Sequence, residues 1–189
     1  MNAMRTNNSL VMNARLCARL SACLILFLAT ALPALAQDVA IPAGGKWTEF
    51  SSEDRMTGAK KARFELLADN AEDSDESAKI ILFCTDGKLE LSDFRPNMKM
   101  AGPNRPGFWG QPQMEVSVRA DNSHSNHGWN WVNGRFLAMD KGTTRELIGA
   151  ELFRIEFAGP RGPVIAEFSP AGIDLDRISK ACGLTPKKP

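Results

Sequence analysis

The chain is poor in the side chains that most often build reactive centres. It holds two histidines, and its four cysteines never fall in a Cys-x-x-Cys pair. A redox dithiol centre is therefore excluded by spacing, and a metal site has few imidazoles to draw on. No Gly-x-Ser-x-Gly elbow is present, so the strained strand-to-helix turn that exposes a hydrolase serine has no counterpart. Charge of either sign is not in excess: 23 Lys+Arg stand against 22 Asp+Glu. That balance gives no basic field to gather nucleic acid or anionic lipid. Internal repeats and heptads are missing. Beyond residue 36 there is no apolar run approaching the roughly 20 residues needed to cross a bilayer.

What is present begins with an export signal. Arg15 and Arg19 flank an apolar stretch from Leu24 to Leu32, and Ala34-Leu35-Ala36 supplies the small-x-small site that a signal peptidase cuts. Met12 precedes an equally compact signal and is an alternative start. Leu20-Ser21-Ala22-Cys23 has the form of a lipoprotein box, but the apolar core follows the cysteine instead of preceding it. The run is too short for a retained anchor and ends at Pro33. The expectation is a cleaved segment over 1–36, a mature protein starting at Gln37, and a periplasmic or secreted location, away from ATP-fuelled chemistry.

Cleavage leaves 153 residues, 37–189, enough for one domain with a real core. The arginines at 5, 15 and 19 leave with the signal, so the remainder carries 20 basic and 22 acidic side chains, a net charge of about −2. Cys17 and Cys23 leave too. Cys84 and Cys182 remain, and in an oxidising compartment they are expected to form a disulfide.

Along the mature chain, 37–58 reads as an irregular lead-in that docks Trp47 and Phe50 on the core. Strands are expected over 62–68, 79–84 and 88–94, the last two joined by a turn at Asp86-Gly87. In 88–94, alternation places Leu89, Leu91 and Asp93 on one face and Lys88, Glu90, Ser92 and Phe94 on the other. A Pro/Gly-rich connection occupies 95–113. Strand alternation resumes over 114–119. A polar turn is expected to carry His124 and His127, followed by a hairpin, 128–132 and 135–139, around Asn133-Gly134. Thr143 and Glu146 have capping-box spacing for a helix over 143–149. Two strands, 152–157 and 164–168, precede a helix over 173–182 with Leu175, Ile178 and Cys182 on one stripe. The implied fold is mainly β: an antiparallel sandwich or partly open barrel over 37–184, with a short C-terminal helix tied by the disulfide and a flexible tail over 185–189.

Few constellations in this pattern carry chemistry. His124 and His127, with Asp121 as a third ligand, are the candidates for a metal site. The acidic stretch 69–77 lacks the glycine and closing glutamate of an EF-hand and reads as a solvated loop. A serine triad would need His124 or His127, and a glycosidase pair would need two carboxylates such as Glu115 and Glu156. Trp129 and Trp131 share a strand face, as core or as an aromatic platform. The best binding candidate is the loop Arg105-Pro-Gly-Phe-Trp-Gly110, where Arg105, Phe108 and Trp109 stand in a long connection with little regular pairing.

The order of features resembles the small exported accessory proteins of type VI secretion systems, the TagO/VasI-like group. The shared features are Trp47 with Asp54-Arg-Met-Thr-Gly58, a strand ending at Cys84, Val118-Arg-Ala-Asp121, a Trp-containing hairpin, Ala166-Glu-Phe-Ser-Pro-Ala-Gly172 and Ile178-Ser-Lys-Ala-Cys-Gly183. Residues 95–113 depart from that pattern. The resemblance implies a disulfide-bonded, non-enzymatic periplasmic domain, and no cofactor is expected. The resulting expectation is a non-enzymatic binding domain of the cell envelope, whose partner is another envelope protein or cell-wall material. A metal-binding protein centred on the two histidines, a cell-wall hydrolase and an enzyme inhibitor are the alternatives.

Overall fold

The computed structural model describes residues 39–70 and 77–187, all within one unit, Asp38–Pro189. The export signal and most of the acidic stretch 69–77 lie outside the described residues. Half of the described residues are in strands. In order, the elements are β1 (Val39–Pro42), β2 (Thr48–Glu53), β3 (Lys60–Leu67), β4 (Lys79–Thr85), β5 (Lys88–Arg95), β6 (Arg105–Pro106), β7 (Pro112–Ala120), β8 (Ser123–Val132), β9 (Phe136–Ala138), α1 (Lys141–Leu147), β10 (Phe153–Gly159), β11 (Gly162–Phe168) and α2 (Leu175–Cys182). Every strand pairing is antiparallel, in one open sheet of order β1-β2-β3-β4-β5-β9-β8-β7-β10-β11, with β6 added beside β7.

The sheet curls over on itself. β5 and β10 are four strand positions apart, which would separate them by about 19 Å if the sheet were flat. Yet the Phe94 ring of β5 meets Phe157 of β10 at 5.2 Å between centroids, and Phe168 of β11 at 6.3 Å. Only a folded sheet brings these rings together. Its concave face is the core: Phe64 and Leu66, Ile80 and Leu82, Met114, Val116 and Val118, Phe153 and Ile155 are all buried at the period of two expected of half-buried strands. The free edge of β11 does not face water unprotected. Asp69 donates its N–H to the Glu167 carbonyl, and the Asn70 amide bridges the Ile165 carbonyl and the Glu167 N–H. Such cover on an edge blocks pairing with another chain.

Several local expectations change. The lead-in is ordered: β1 and β2 pair from Val39↔Ser51 to Pro42↔Thr48 around the glycine turn at 44–45. Trp47 is buried and donates its indole N–H to the Pro170 carbonyl, as a buried tryptophan requires. Phe50 instead lies on the outer face, with the Arg63 guanidinium 4.2 Å above its ring. In β5 the predicted alternation fails because a bulge shifts the register: Phe83 opposes Leu91 while Cys84 opposes Leu89. The extra residue, Glu90, turns Leu89 toward the core and Leu91 away from it. Ser92 and Phe94 face the core, and Asp93 is buried on the opposite side under Arg95.

The helices are shifted as well. Asp140, not Thr143, caps α1, accepting the Thr143 N–H at 2.8 Å. α2 is capped by Asp174 and ends at Gly183 with φ +61°. Its Leu175 is exposed, so the docking stripe is Ile178 and Cys182, continued by Leu184. Cys182 is bonded to Cys84 with the Cα atoms 5.0 Å apart, which ties α2 to β4 as expected. Leu184 is buried, and Thr185 and Lys187 are tied to α1 through Arg145 and Glu146, so the described part of the tail is not loose.

Candidate functional site

The long connection 95–113 contains a small hairpin. β6 pairs with the start of β7 through Arg105↔Gln113 and Pro106↔Pro112. Its loop is closed by the Gly107 N–H on the Gln111 carbonyl, by the Gly110 N–H on Gly107, and by the Trp109 N–H on the Gln111 side chain. The prolines at 106 and 112 suit this short edge ribbon, since neither has an N–H to leave unpaired. Phe108 and Trp109 form the tip. Their rings meet edge to face at 4.8 Å, and they stay 88% and 85% exposed. They do not fold back on the sheet. Arg105 is not beside them. Its guanidinium lies at the base of the finger, over Gly128 of β8, where a Cβ would stand only 3.2 Å from it. Gly128 thus makes room for Arg105, and Gln113 bonded to Asn130 completes the base.

The histidines are not in a turn. β8 begins at Ser123, and the β7–β8 turn is confined to Asp121 and Asn122. Three residues apart in a strand, His124 and His127 face opposite sides of the sheet. His124 lines a shallow outer groove with Arg119, Arg154 and Glu156. The Asp121 carboxylate is occupied by the N–H groups of Glu151 and Leu152. His124, His127 and Asp121 are therefore not brought together. Among the described residues, no group of three or more His, Cys, Asp and Glu side chains is disposed to hold a metal ion. Glu115 and Glu156 both point outward, and Glu115 does not line the groove that Glu156 shares with His124. Trp129 is fully buried and Trp131 packs against the same core, so that pair is not a platform.

His127 has a different set of neighbours, which the sequence reading missed. Its Nε2 is 2.8 Å from the Ser125 hydroxyl. Its Nδ1 is 3.1 Å from Asp140 Oδ2 and 3.2 Å from the Thr143 hydroxyl oxygen. Thr143 donates its own hydroxyl to Asp140 Oδ2 at 2.6 Å, so both atoms near Nδ1 are acceptors. That environment assigns the neutral imidazole proton to Nδ1 and leaves the Nε2 lone pair for the Ser125 hydroxyl. Burial works against an ionised Asp140, but hydrogen bonds from Thr143, the adjacent His127 and the Trp129 indole outweigh it and hold the carboxyl below its ordinary range. A strand continued through 123 would have shown the signal, because Ser-x-His on a strand puts both side chains on one face.

A groove of about 630 Å³ runs beside α2 and contains Glu49, Lys60, Asp86, Arg177 and Lys180. Charges of both signs line it, and Arg177 is already paired with Glu49 at 3.1 Å. Comparison with protein-family models, curated proteins and solved structures finds no match to this chain.

Proposed function

We propose that this protein is an exported binding domain of the cell envelope that grips an apolar cleft on a partner protein with the Phe108–Trp109 finger. The observation that carries the reading is the exposure of two large aromatics at the tip of an ordered hairpin. Two such side chains add little to folding when they face water. Inserted in a cleft, each recovers roughly 1.5–3 kcal/mol of hydrophobic free energy. A hydrogen-bonded loop also loses less entropy on binding than a disordered one. The near-neutral charge favours a protein cleft over an anionic lipid surface. Support for a periplasmic or secreted location comes from the sequence signal together with the buried disulfide, which fits an oxidising compartment. No helix among the described residues is long and apolar enough to cross a membrane. The TagO/VasI-like resemblance makes a component of a secretion apparatus the first partner to try.

Crosslinking in living cells, followed by identification of the captured protein, tests this reading. Trp109→Ala should weaken capture by about 30-fold, the effect of a hot-spot residue worth about 2 kcal/mol. Its unfolding free energy should stay within about 0.5 kcal/mol of the parent, as for other surface substitutions. Undiminished capture by a Phe108→Ala/Trp109→Ala double variant would refute the reading, and retention on wall polymer alone would name a different ligand.

A further inference from the structure

The finger leaves the Ser125–His127–Asp140 cluster without a role. A tie between β8 and the start of α1 needs only the His127 contacts to Asp140 and Thr143. The Ser125 hydroxyl adds something else: it is aligned on the one imidazole nitrogen that has a free lone pair. We propose that Ser125 is a nucleophile that accepts a short acyl group from an ester, with His127 as its base and Asp140 as the positioning residue that fixes the imidazole.

The backbone adds a donor where charge would develop. The Asn104 N–H bonds the Gln113 carbonyl, and the Glu115 N–H bonds the Asn104 side chain, so the odd residues of β7 point away from β8. The even residues of β7 therefore bond β8, and their partners there are odd: Val118↔Ser125 and Val116↔His127. The amides of His124, Asn126 and Gly128 then point off the opposite edge of β8. β9 pairs with that edge only from Asn130 to Val132. The Asn126 N–H, next in the chain after the nucleophile, is thus directed at the open edge, where it can meet a carbonyl oxygen. Ser125 and His127 are half-buried and remain within reach of solvent. The groove beside α2 and the outer groove at His124 are lined by other residues. Half-buried side chains at an open strand edge suit a small acyl group carried on a larger alcohol that stays outside.

In the reaction, Ser125 Oγ attacks the ester carbonyl carbon. The Oγ–C bond forms, the hydroxyl proton passes to His127 Nε2, and the carbonyl π pair moves onto oxygen beside the Asn126 N–H. Collapse of this oxyanion breaks the bond to the alcohol oxygen, which leaves with the proton from Nε2. Water, the only co-reactant, repeats the sequence at the acyl-serine. It gives one proton to Nε2 and releases the carboxylic acid, and Ser125 recovers its hydroxyl. Nothing is oxidised or reduced.

The test uses the exported, disulfide-bonded protein and a biotin-tagged fluorophosphonate, with p-nitrophenyl acetate as a second probe. The parent should be labelled at Ser125, located by peptide mass spectrometry, and Ser125→Ala should not be labelled. His127→Gln should slow labelling by at least about 100-fold, the usual scale of general-base assistance. Asn is as good a helix cap as Asp, so Asp140→Asn should keep the fold. It should slow labelling by roughly ten-fold and lower kcat for p-nitrophenyl acetate with KM unchanged, a split that a merely structural role would not give. Labelling of the parent no faster than of Ser125→Ala, or labelling only at another serine, would overturn the proposal. So would an undiminished rate in His127→Gln. If His127→Gln does not fold, the comparison with Ser125→Ala still decides. The probes need no partner protein, so their result is separate from the fate of the finger reading.

Discussion

Replacing Cys84 and Cys182 together by alanine removes the link that holds α2. The bridge spans 98 positions of the chain. On the chain-entropy model, freeing a loop of that size from the denatured state removes about 4.7 kcal/mol of stability at 25 °C. Both cysteines are buried, at 2% and 1% exposure, and loss of their sulfurs removes roughly another 1 kcal/mol of packing. The expected total of about 5–6 kcal/mol is a large part of the 5–15 kcal/mol typical of a domain. Little else compensates in α2. It has eight residues, shorter than the roughly 12–15 at which isolated helices become even marginal. Its remaining apolar anchors are Ile178 and, past the cap, Leu184, and its polar ones are the Arg177 contacts to Glu49 and the Pro42 carbonyl. Urea titration should show the midpoint falling by about 2–3 M for a slope near 2 kcal/mol/M. Hydrogen exchange should show the α2 amides losing protection first. A loss below about 1 kcal/mol, with α2 still protected, would refute the reasoning, because sheet contacts alone would then be holding the helix.

Two further substitutions probe the fold. Asp93 is fully buried, with Oδ2 on Arg95 at 2.8 Å and Oδ1 without a partner. Burial pushes its carboxyl up, against the pull of Arg95. The folded protein therefore holds this proton more tightly than the unfolded chain. Stability should fall as pH rises from the ordinary carboxylate value of 3.8 through the raised one, then level off. Asp93→Asn should abolish that slope in urea titrations between pH 3.5 and 7, and an unchanged slope would show that Asp93 is not its source. Asp140, whose carboxyl is held low, acts in the opposite sense at more acid pH and is common to both proteins. Gly45→Ala should cost several kcal/mol, since φ is +55° and the added Cβ would stand 2.2 Å from the Ala171 carbonyl oxygen. A melting temperature within a degree of the parent would contradict that.

Where one local rule governs, the sequence was sufficient. Ile80, Leu82 and Cys84 on β4, and Met114, Val116 and Val118 on β7, follow the pleat, and Asp86-Gly87 marks its turn without competition. The disulfide followed from cysteine count and compartment. The failures occur where a distant contact overrides the local pattern. The Glu90 bulge cannot be seen from alternation, because one inserted residue reverses the faces beyond it. The polar run 121–127 reads as a turn from composition, yet β7 supplies a ladder partner for each of Ser123 to Asn130, and that pairing outweighs weak strand propensity. This one error hid the cluster: with His127 in a turn, neither Ser125 nor Asp140 had reason to be near it. Phe108 and Trp109 were candidates from their loop alone, but the hairpin that holds them out was not legible, because its bonds run through Gly107 and Gln111 instead of a strand pattern.

The finger and the serine belong to one ribbon. The base of the finger sits at Gln113↔Asn130, and Ser125 stands opposite Val118 on the same β7–β8 pair. Five residues of strand separate the two positions on β7, about 17 Å. Their register cannot slip, because a shift of one residue would turn Met114, Val116 and Val118 out of the core. A partner anchored at Phe108 and Trp109 would therefore present whatever it carries at a fixed distance from Ser125. A group joined to such a partner by a short flexible linker that matches the span would sit at roughly millimolar effective concentration. A nucleophile on an open strand edge would gain from such delivery, because the affinity would not have to come from the small acyl group alone. The two proposals are thus compatible in one molecule: the aromatic tip would supply the affinity that the serine's open edge lacks.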